Sequence, residues 1–125
     1  MRVSIHQPNF LPWIGLFHRI YLSECFVIFD HVQAMGGKSW LSRNRILIGG
    51  QKRWITMPVR KTGRFGQRIN EVEINYETNF LEKHLRTLEL NYKKAKFFDD
   101  FFPILEKVYT KRTKYISHFN SLFIM

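Results

Sequence analysis

The N-terminal part of the chain alternates between strand-like and helix-like apolar patterns. A short apolar run ends at Ile5, a polar loop with two prolines extends from His6 to Trp13, and apolar residues then recur at helical spacing to about Leu22. The continuous apolar run Cys25–Phe29 is typical of a strand that is covered on both faces. We therefore predict a buried strand over residues 2–5, a helix beginning at Trp13 or Ile14, and a second buried strand. This order favours a right-handed βαβ crossover.

The middle of the chain has the pattern of a β-hairpin. An apolar segment ends at Ile48, the pair Gly49-Gly50 provides a turn, and residues 53–59 return. Residues 71–74 then alternate in strand fashion.

From residue 79 onwards the pattern is helical. Asn79 and Glu82 have the spacing of a helix N-terminus, and Pro103 is expected near the start of another helix. A last amphipathic segment reaches Met125 with no capping residue, which suggests a chain truncated at its C-terminus. The predicted fold class is α/β: an N-terminal βαβ unit with a β-hairpin or mixed sheet, followed by a C-terminal helical segment. We expect one domain (1–125), with an α/β part (1–78) and a helical part (79–125).

Composition restricts the class of protein. The chain has 125 residues, of which 45% are hydrophobic, so one domain with a substantial core is expected. No apolar run approaches the roughly 18 residues of a membrane helix, and His6 interrupts any signal peptide. Because the chain has a single cysteine, Cys25, it cannot form an internal disulfide. Cys25 is predicted to be a small buried hydrophobe. We expect a cytoplasmic protein.

The charge is strongly positive and unevenly distributed. The formal net charge is +10, and no acidic residue occurs from His31 to Asn70. Basic residues recur throughout this span, which indicates either a solvated face or a site for an anionic partner.

Candidate catalytic residues follow the two predicted strands. His6 and Gln7 leave the first strand and Asp30 leaves the second, and ligands of open α/β sheets bind at that edge. His6 could act as acid or base, Gln7 could orient a carbonyl or hydroxyl, and Asp30 could orient His6. Alternatively, His6 only hydrogen-bonds a neighbouring strand and Asp30 caps a turn.

Candidate binding residues lie in the loops and in the basic segment. Arginine side chains bind phosphate bidentately, and tryptophans stack on a base or sugar, although aromatic residues near turns are more often core residues. A metal site from His6, Asp30, His31 and His84 has no helix-spaced ligand motif, so we expect no metal and no cofactor. The predicted substrate-binding residues are Asn9, Trp13, Gln33, Lys38, Trp40, Arg43, Asn44, Arg45 and His84.

Several segments together resemble the WbqC-like family of bacterial proteins over almost the whole chain. The most specific is the opening motif HQPNFLPW, and the others are FDHVQ, RNRI, WITMPV, FGQRINEVEI, KHLRTLELNY and FFDDFFPILE. The resemblance implies an association with O-antigen and surface-polysaccharide biosynthesis. It also implies a transfer reaction on a sugar, with glycine or another acyl group as a candidate for the transferred group.

Two departures from the family pattern affect these expectations. Family members often have two acidic residues where this chain has Asp30-His31, so a site that needs both carboxylates is altered here. Members also usually continue beyond the position of Met125, which implies a C-terminally truncated member.

Two functions are compatible with the sequence. The first is a transferase that acts on a nucleotide-linked or phosphorylated sugar. The second is a non-catalytic basic module that binds nucleic acid or another anionic partner, or an inactive truncated paralogue. No helix-turn-helix, zinc-finger or RNP motif supports nucleic acid as the partner, so the enzyme is favoured.

Overall fold

The computed structural model describes residues 1–36 and 39–125. Along these residues the elements are β1 (Val3–His6), α1 (Ile14–Tyr21), β2 (Cys25–Ile28), β3 (Arg43–Ile48), β4 (Gln51–Thr56), a 3-10 turn (Ile69–Glu71), α2 (Phe80–Tyr92), α3 (Phe98–Thr110) and α4 (Ile116–Ser121). The predicted α/β class, with strands in the N-terminal part and helices in the C-terminal part, is confirmed.

The first two strands form a parallel pair. Val3 lies opposite Cys25 and His6 lies opposite Ile28, and α1 connects the strands. The predicted strand–helix–strand unit is therefore confirmed. It places the loop that follows β1 and the loop that follows β2 at the same edge of the pair.

The prediction that these two strands are buried on both faces is wrong. Exposure alternates along each strand, so that Val3, Ile5 and Val27 are exposed, whereas their neighbours are half-buried. Cys25 is likewise exposed rather than buried. A continuous apolar run indicates burial on both faces only where a layer of structure packs on each side. The described part of the chain covers only one face of this pair.

Strands β3 and β4 form the predicted antiparallel hairpin. The register pairs Arg43 with Thr56 and Ile48 with Gln51. Gly49 and Gly50 connect the strands with φ values of 58° and 78°. Positive φ at both central residues is the geometry of a tight two-residue hairpin turn, and glycine adopts it without a steric penalty.

The strand predicted at residues 71–74 is absent from the described fold. Residues 69–71 form a 3-10 turn, and only isolated bridges follow, from Ile74 to Val59 and from Glu73 to Tyr115. The alternation arose because Val72 and Ile74 are both core residues, each 3% exposed. The segment is extended but divides its pairing between two neighbours.

The two longer helices begin where local chemistry favours them. Asn79 precedes α2 as predicted, although its side-chain amide contacts the Glu82 carboxylate (3.1 Å) instead of capping the helix. Helix α3 begins at Phe98 with two aspartates in its first turn, which favours a helix N-terminus. Pro103 therefore lies inside this helix rather than near its start, and it removes one backbone hydrogen bond there.

One hydrophobic core joins the hairpin, the helical part and the loop after β1. Phe10, Tyr109, Ile116 and Phe119 are each 0% exposed. The remaining core residues are Leu41, Ile46, Ile55, Met57, Ile69, Val72, Ile74, Phe80, Leu88, Leu105 and Val108. Among the described residues, none of the helices is both long and apolar enough to cross a bilayer.

Candidate functional site

The loop between β1 and α1 is fixed to the core by Phe10. This side chain is fully buried, with its ring centroid 6.1 Å from that of His84 and 6.2 Å from that of Phe119. The Phe10 N–H donates to the Trp40 carbonyl at 2.9 Å. Burial of an aromatic side chain is worth several kcal/mol to the folded state, roughly 2–3, so the middle of the loop is held in one position.

Asn44 of β3 holds the same loop from the hairpin side. Its Nδ2 donates to the carbonyls of Phe10 (3.2 Å) and Leu11 (2.7 Å), and its Oδ1 accepts from the Arg45 N–H (2.7 Å). Leu11 has a φ of 44°, which costs a non-glycine residue about 1 kcal/mol. Asn44 was predicted to contact substrate. Its amide is engaged at both ends, so in this structure Asn44 holds the loop in place.

Asn120 of α4 is a second anchor. It is 1% exposed, and its Nδ2 donates to the carbonyls of Pro8 (3.0 Å) and Leu41 (2.9 Å). Sequence reasoning missed this residue. The available signal was a polar side chain four positions after Ile116, on the buried face of the last helix.

A cleft of about 340 Å³ lies beside the anchored loop and is lined by Asn9, Trp13, Trp40 and Asn44. A second pocket of about 210 Å³ shares Asn9 and Trp40 and adds Gln7. The structure therefore brings together five of the predicted site residues. Within the described part of the chain, no hydrogen bond engages the side chain of Gln7 or Asn9. Their amides contribute to the polar lining of the two pockets, together with Asn44 and Ser39.

The position of Trp13 depends on a glycine in α1. A Cβ atom added to Gly15 would lie only 1.7 Å from Cζ3 of the Trp13 indole. The Trp13 ring consequently lies across the first turn of α1, and any larger residue at position 15 would displace it. Trp13 is 59% exposed and Trp40 is 50% exposed, so both indoles are accessible to a ligand.

The predicted arginines lie next to this cleft but on the other face of the hairpin. Arg43 and Arg45 flank Asn44 in β3, and alternate residues of a strand point to opposite faces. Their guanidinium carbons lie 3.7 Å and 4.8 Å from the Trp54 ring. Trp40 links the two groups, because it lines the cleft and its ring lies 5.6 Å from that of Trp54.

His6 and Asp30 leave adjacent strand ends, as predicted, but have different partners. The Phe29 N–H donates to the His6 carbonyl, which joins the two strand ends. Nδ1 of His6 lies 2.7 Å from the Gln7 carbonyl, whereas the Asp30 carboxylate accepts from the Ser117 hydroxyl at 2.6 Å. Among the hydrogen bonds of the described residues, none connects His6 with Asp30. The hydrogen-bond partner of the His6 side chain is therefore the Gln7 carbonyl and not the Asp30 carboxylate.

Two other predicted residues, Gln33 and His84, lie outside the cleft. Gln33 is exposed, bridges to Arg68 and lines a separate pocket of about 350 Å³. Lys38 lies outside the described residues. His84 is 9% exposed in the core, with its Nδ1 3.1 Å from the Tyr109 hydroxyl. It was predicted to bind substrate, and the structure corrects this: it is a packed core histidine.

Burial shifts the pKa values of His84 and of its hydrogen-bond partner Tyr109. Desolvation lowers the pKa of His84 to about 4, although a hydrogen bond with the Thr56 backbone acts in the opposite direction. Burial also raises the pKa of Tyr109. At neutral pH the imidazole is therefore neutral. Elsewhere in the described structure, no three His, Cys, Asp or Glu side chains are grouped so that they could hold a metal ion.

Comparison with known proteins identifies the family. The model of the WbqC-like protein family matches residues 7–125. The chain is also 38% identical over 108 residues to the uncharacterized protein Rv1507c of Mycobacterium tuberculosis. That alignment covers 86% of this chain and 46% of the relative, so the chain spans less than half the length of the relative. No solved structure shows a significant match. On the match to residues 7–125, this chain belongs to the WbqC-like protein family.

Proposed function

We propose that the chain binds a phosphorylated or nucleotide-linked sugar in the cleft between Trp13 and Trp40 and that it takes part in a transfer reaction on that sugar. The observation that carries this proposal is the composition of the cleft. Two accessible indoles and three side-chain amides, those of Gln7, Asn9 and Asn44, line adjoining pockets beside a stiff loop. Indole faces stack on sugar rings or bases, and amides both donate to and accept from hydroxyls.

Arg43 and Arg45 supply the expected site for the phosphate. Their guanidinium groups lie over the Trp54 ring, which restricts their motion. A stacked guanidinium can still donate its in-plane N–H groups to a phosphate. A ligand that lies on Trp40 and extends over the edge of the hairpin reaches these arginines through its phosphate. This arrangement favours an anionic sugar over a neutral one.

His6 is the proposed acid–base group. A carbonyl can only accept a hydrogen bond, so Nδ1 of His6 carries the proton towards Gln7, and Nε2 of the neutral ring is an acceptor. In the proposed acyl transfer, a hydroxyl oxygen of the bound sugar forms a bond to the acyl carbon of the donor and its proton passes to Nε2, while the bond from that carbon to the leaving group breaks. The leaving group of the donor departs with the bonding electron pair. The substrate, the donor and the role of His6 all belong to this proposal.

Calorimetric titration with a panel of nucleotide-sugars tests the binding step. We expect Trp40→Ala and Arg43→Ala to weaken binding by about tenfold each, as the loss of a stacking or a bidentate contact does. Phe65→Ala and Arg53→Ala are matched controls, because both side chains are exposed and lie outside the cleft lining. Preferential, strongly salt-dependent binding of single-stranded DNA that Trp40→Ala leaves unchanged would contradict the proposal and favour a basic binding module.

The transfer step has a separate test. His6→Gln keeps a polar side chain but cannot accept the proton, so it should retain nucleotide-sugar binding and lose product formation. Incubation with a bound nucleotide-sugar and a panel of activated acyl donors, followed by mass spectrometry of the sugar, measures this. His18→Gln on the exposed surface of α1 is the control. Equal product from His6→Gln and the unmodified chain would remove His6 from the mechanism.

A further inference from the structure

A second cavity, of about 380 Å³, lies on the other side of the anchored loop and is almost entirely apolar. It lies where the end of α2, the turn into α3 and the hairpin meet, and its volume is within the range of about 300–1,000 Å³ typical of small-molecule sites. We call it the α2–α3 groove. Its lining consists of Leu11, Ile46, Leu88, Tyr92, Ala95, Lys96, Phe97, Phe98, Phe101, Phe102 and Leu105.

The lining of this groove selects a hydrocarbon. Its polar side chains are Tyr92, whose hydroxyl accepts from the Leu47 N–H at 2.8 Å, and Lys96. Phe98 and Phe102 stack at 4.7 Å to form one wall. A ligand group with several hydroxyls or amides would lose most of its hydrogen bonds to water here without replacement, so an apolar chain enters at a lower cost.

The mouth of the groove exposes aromatic surface to solvent. Phe97 is 65% exposed and Phe101 is 50% exposed. Exposed aromatic side chains grouped beside an apolar cavity are typical of an interaction site rather than of ordinary surface.

Positive charge marks one end of the groove. Lys96 is part of the lining, with its Nζ 5.2 Å from the Phe97 ring, and Lys93 and Lys94 precede it in the same segment. Asp99 and Asp100 lie in the first turn of α3, so an anionic group is favoured only at the lysine side. This charge distribution is complementary to a ligand with an apolar chain and a negative head.

We propose that the α2–α3 groove binds the hydrocarbon chain of a small anionic amphiphile and that Lys96 pairs with its head group. The groove is separate from the cleft of the proposed function and does not depend on it. The two nevertheless share the same loop: Leu11 lines the groove, whereas Asn9 and Trp13, two residues to either side, line the cleft. Ligands in the two sites would therefore contact opposite sides of one rigid segment.

Titration of the chain with octanoate, octan-1-ol and octylammonium, followed by NMR, tests both parts of the proposal. These probes have hydrocarbon tails of seven or eight carbons and carry a negative, a neutral and a positive head group. We expect octanoate to bind most tightly and octylammonium least tightly, with shifts confined to residues of the groove. Ala95→Trp fills the exposed side of the groove. It should weaken the binding of all three probes by about tenfold, since their hydrocarbon tails lose most of their buried area.

Lys96→Ala and Lys94→Ala form the matched pair for the head group. Both remove one positive charge from the same segment, but only Lys96 lines the groove. We expect Lys96→Ala to weaken octanoate binding about two- to fivefold, as for a partly exposed ion pair, and to leave octan-1-ol unchanged. Lys94→Ala should change neither. Equal effects of the two variants would contradict the assignment of the head group to Lys96.

Two further measurements distinguish two other occupants of the groove. If the groove mediates pairing between two copies of the chain, sedimentation will show a concentration-dependent dimer that Ala95→Trp disrupts. If the exposed phenylalanines insert into a membrane, the chain will bind vesicles of anionic lipid but none of the three soluble probes. Either result would overturn the proposal, as would probe binding that Ala95→Trp leaves unchanged.

Discussion

The side-chain amide of Asn44 donates to the carbonyl of Leu11 at 2.7 Å, at a residue whose φ is 44°. A left-handed backbone at a leucine is strained, and it persists only where surrounding contacts determine it. Strain of this kind is often found at ligand sites, and here it lies between the polar cleft and the α2–α3 groove. Asn44 is therefore central to the geometry of both.

Asn44→Ala should destabilise the fold and weaken nucleotide-sugar binding. The substitution leaves the carbonyls of Phe10 and Leu11 without their partner, which costs about 1–3 kcal/mol of unfolding free energy. Urea denaturation measures this loss. Asn70→Ala, at an exposed asparagine, is the control and should change the unfolding free energy by less than about 0.5 kcal/mol. An Asn44→Ala chain as stable as the control would show that the loop does not need this anchor.

Asn120 and Asn44 should act on the loop cooperatively. Asn120 holds the carbonyl of Pro8 from α4, two residues before the first carbonyl that Asn44 holds. Once one of the two asparagine side chains is removed, the loop relaxes, and the hydrogen bonds of the other stabilise the fold less. The Asn44→Ala/Asn120→Ala double variant should therefore lose less unfolding free energy than the sum of the single losses, by about 0.5 kcal/mol or more. Strict additivity in a double-mutant cycle would contradict a shared role.

Gly15→Ala should weaken nucleotide-sugar binding without lowering the stability of the fold. Alanine is favoured over glycine inside a helix by about 0.5–1 kcal/mol, so the midpoint of thermal unfolding should rise or stay constant. The new Cβ would occupy the present position of the Trp13 ring and displace it from the cleft. Nucleotide-sugar binding should then fall to the level of Trp13→Ala. Unchanged binding in a stable Gly15→Ala chain would exclude Trp13 from the site.

Stability should decrease as the pH falls through the range set by His84. Its pKa is lowered from 6.5 to about 4 in the folded chain, so between these values the unfolded state binds more protons. Unfolding free energy should therefore be highest above pH 6.5 and fall towards pH 4, by up to about 3 kcal/mol. Urea denaturation across this range measures the loss. His84→Phe removes the titrating group, so its unfolding free energy should depend much less on pH. An equal pH dependence in both chains would assign the effect to another residue.

The sequence predicted the elements that local patterns determine. The order of β1, α1 and β2 and the hairpin at Gly49-Gly50 follow from apolar spacing and turn residues. The sequence also named Gln7, Asn9, Trp13 and Trp40 as candidate site residues, and the structure places them around two pockets that share Asn9 and Trp40.

Contacts between distant residues could not be predicted in this way. Asn120 bonds Pro8 across 112 positions and Ser117 bonds Asp30 across 87, and no local pattern contains such information. His84 illustrates the same limit, because its polarity indicated a binding role while its neighbours in space made it a core residue. Cys25 shows the reverse case: the residues that follow it in sequence are apolar, but one face of its strand is open.

The most direct test of the proposed cleft is the response of the three tryptophan indoles to a nucleotide-sugar. Each indole N–H gives its own signal in a nitrogen-edited NMR spectrum, and single Trp→Phe variants assign Trp13, Trp40 and Trp54. Binding in the cleft predicts saturable shifts of the Trp13 and Trp40 signals with one shared dissociation constant, and a smaller shift of Trp54 through its arginines. Saturable binding that leaves the Trp13 and Trp40 signals unmoved would contradict the proposed site.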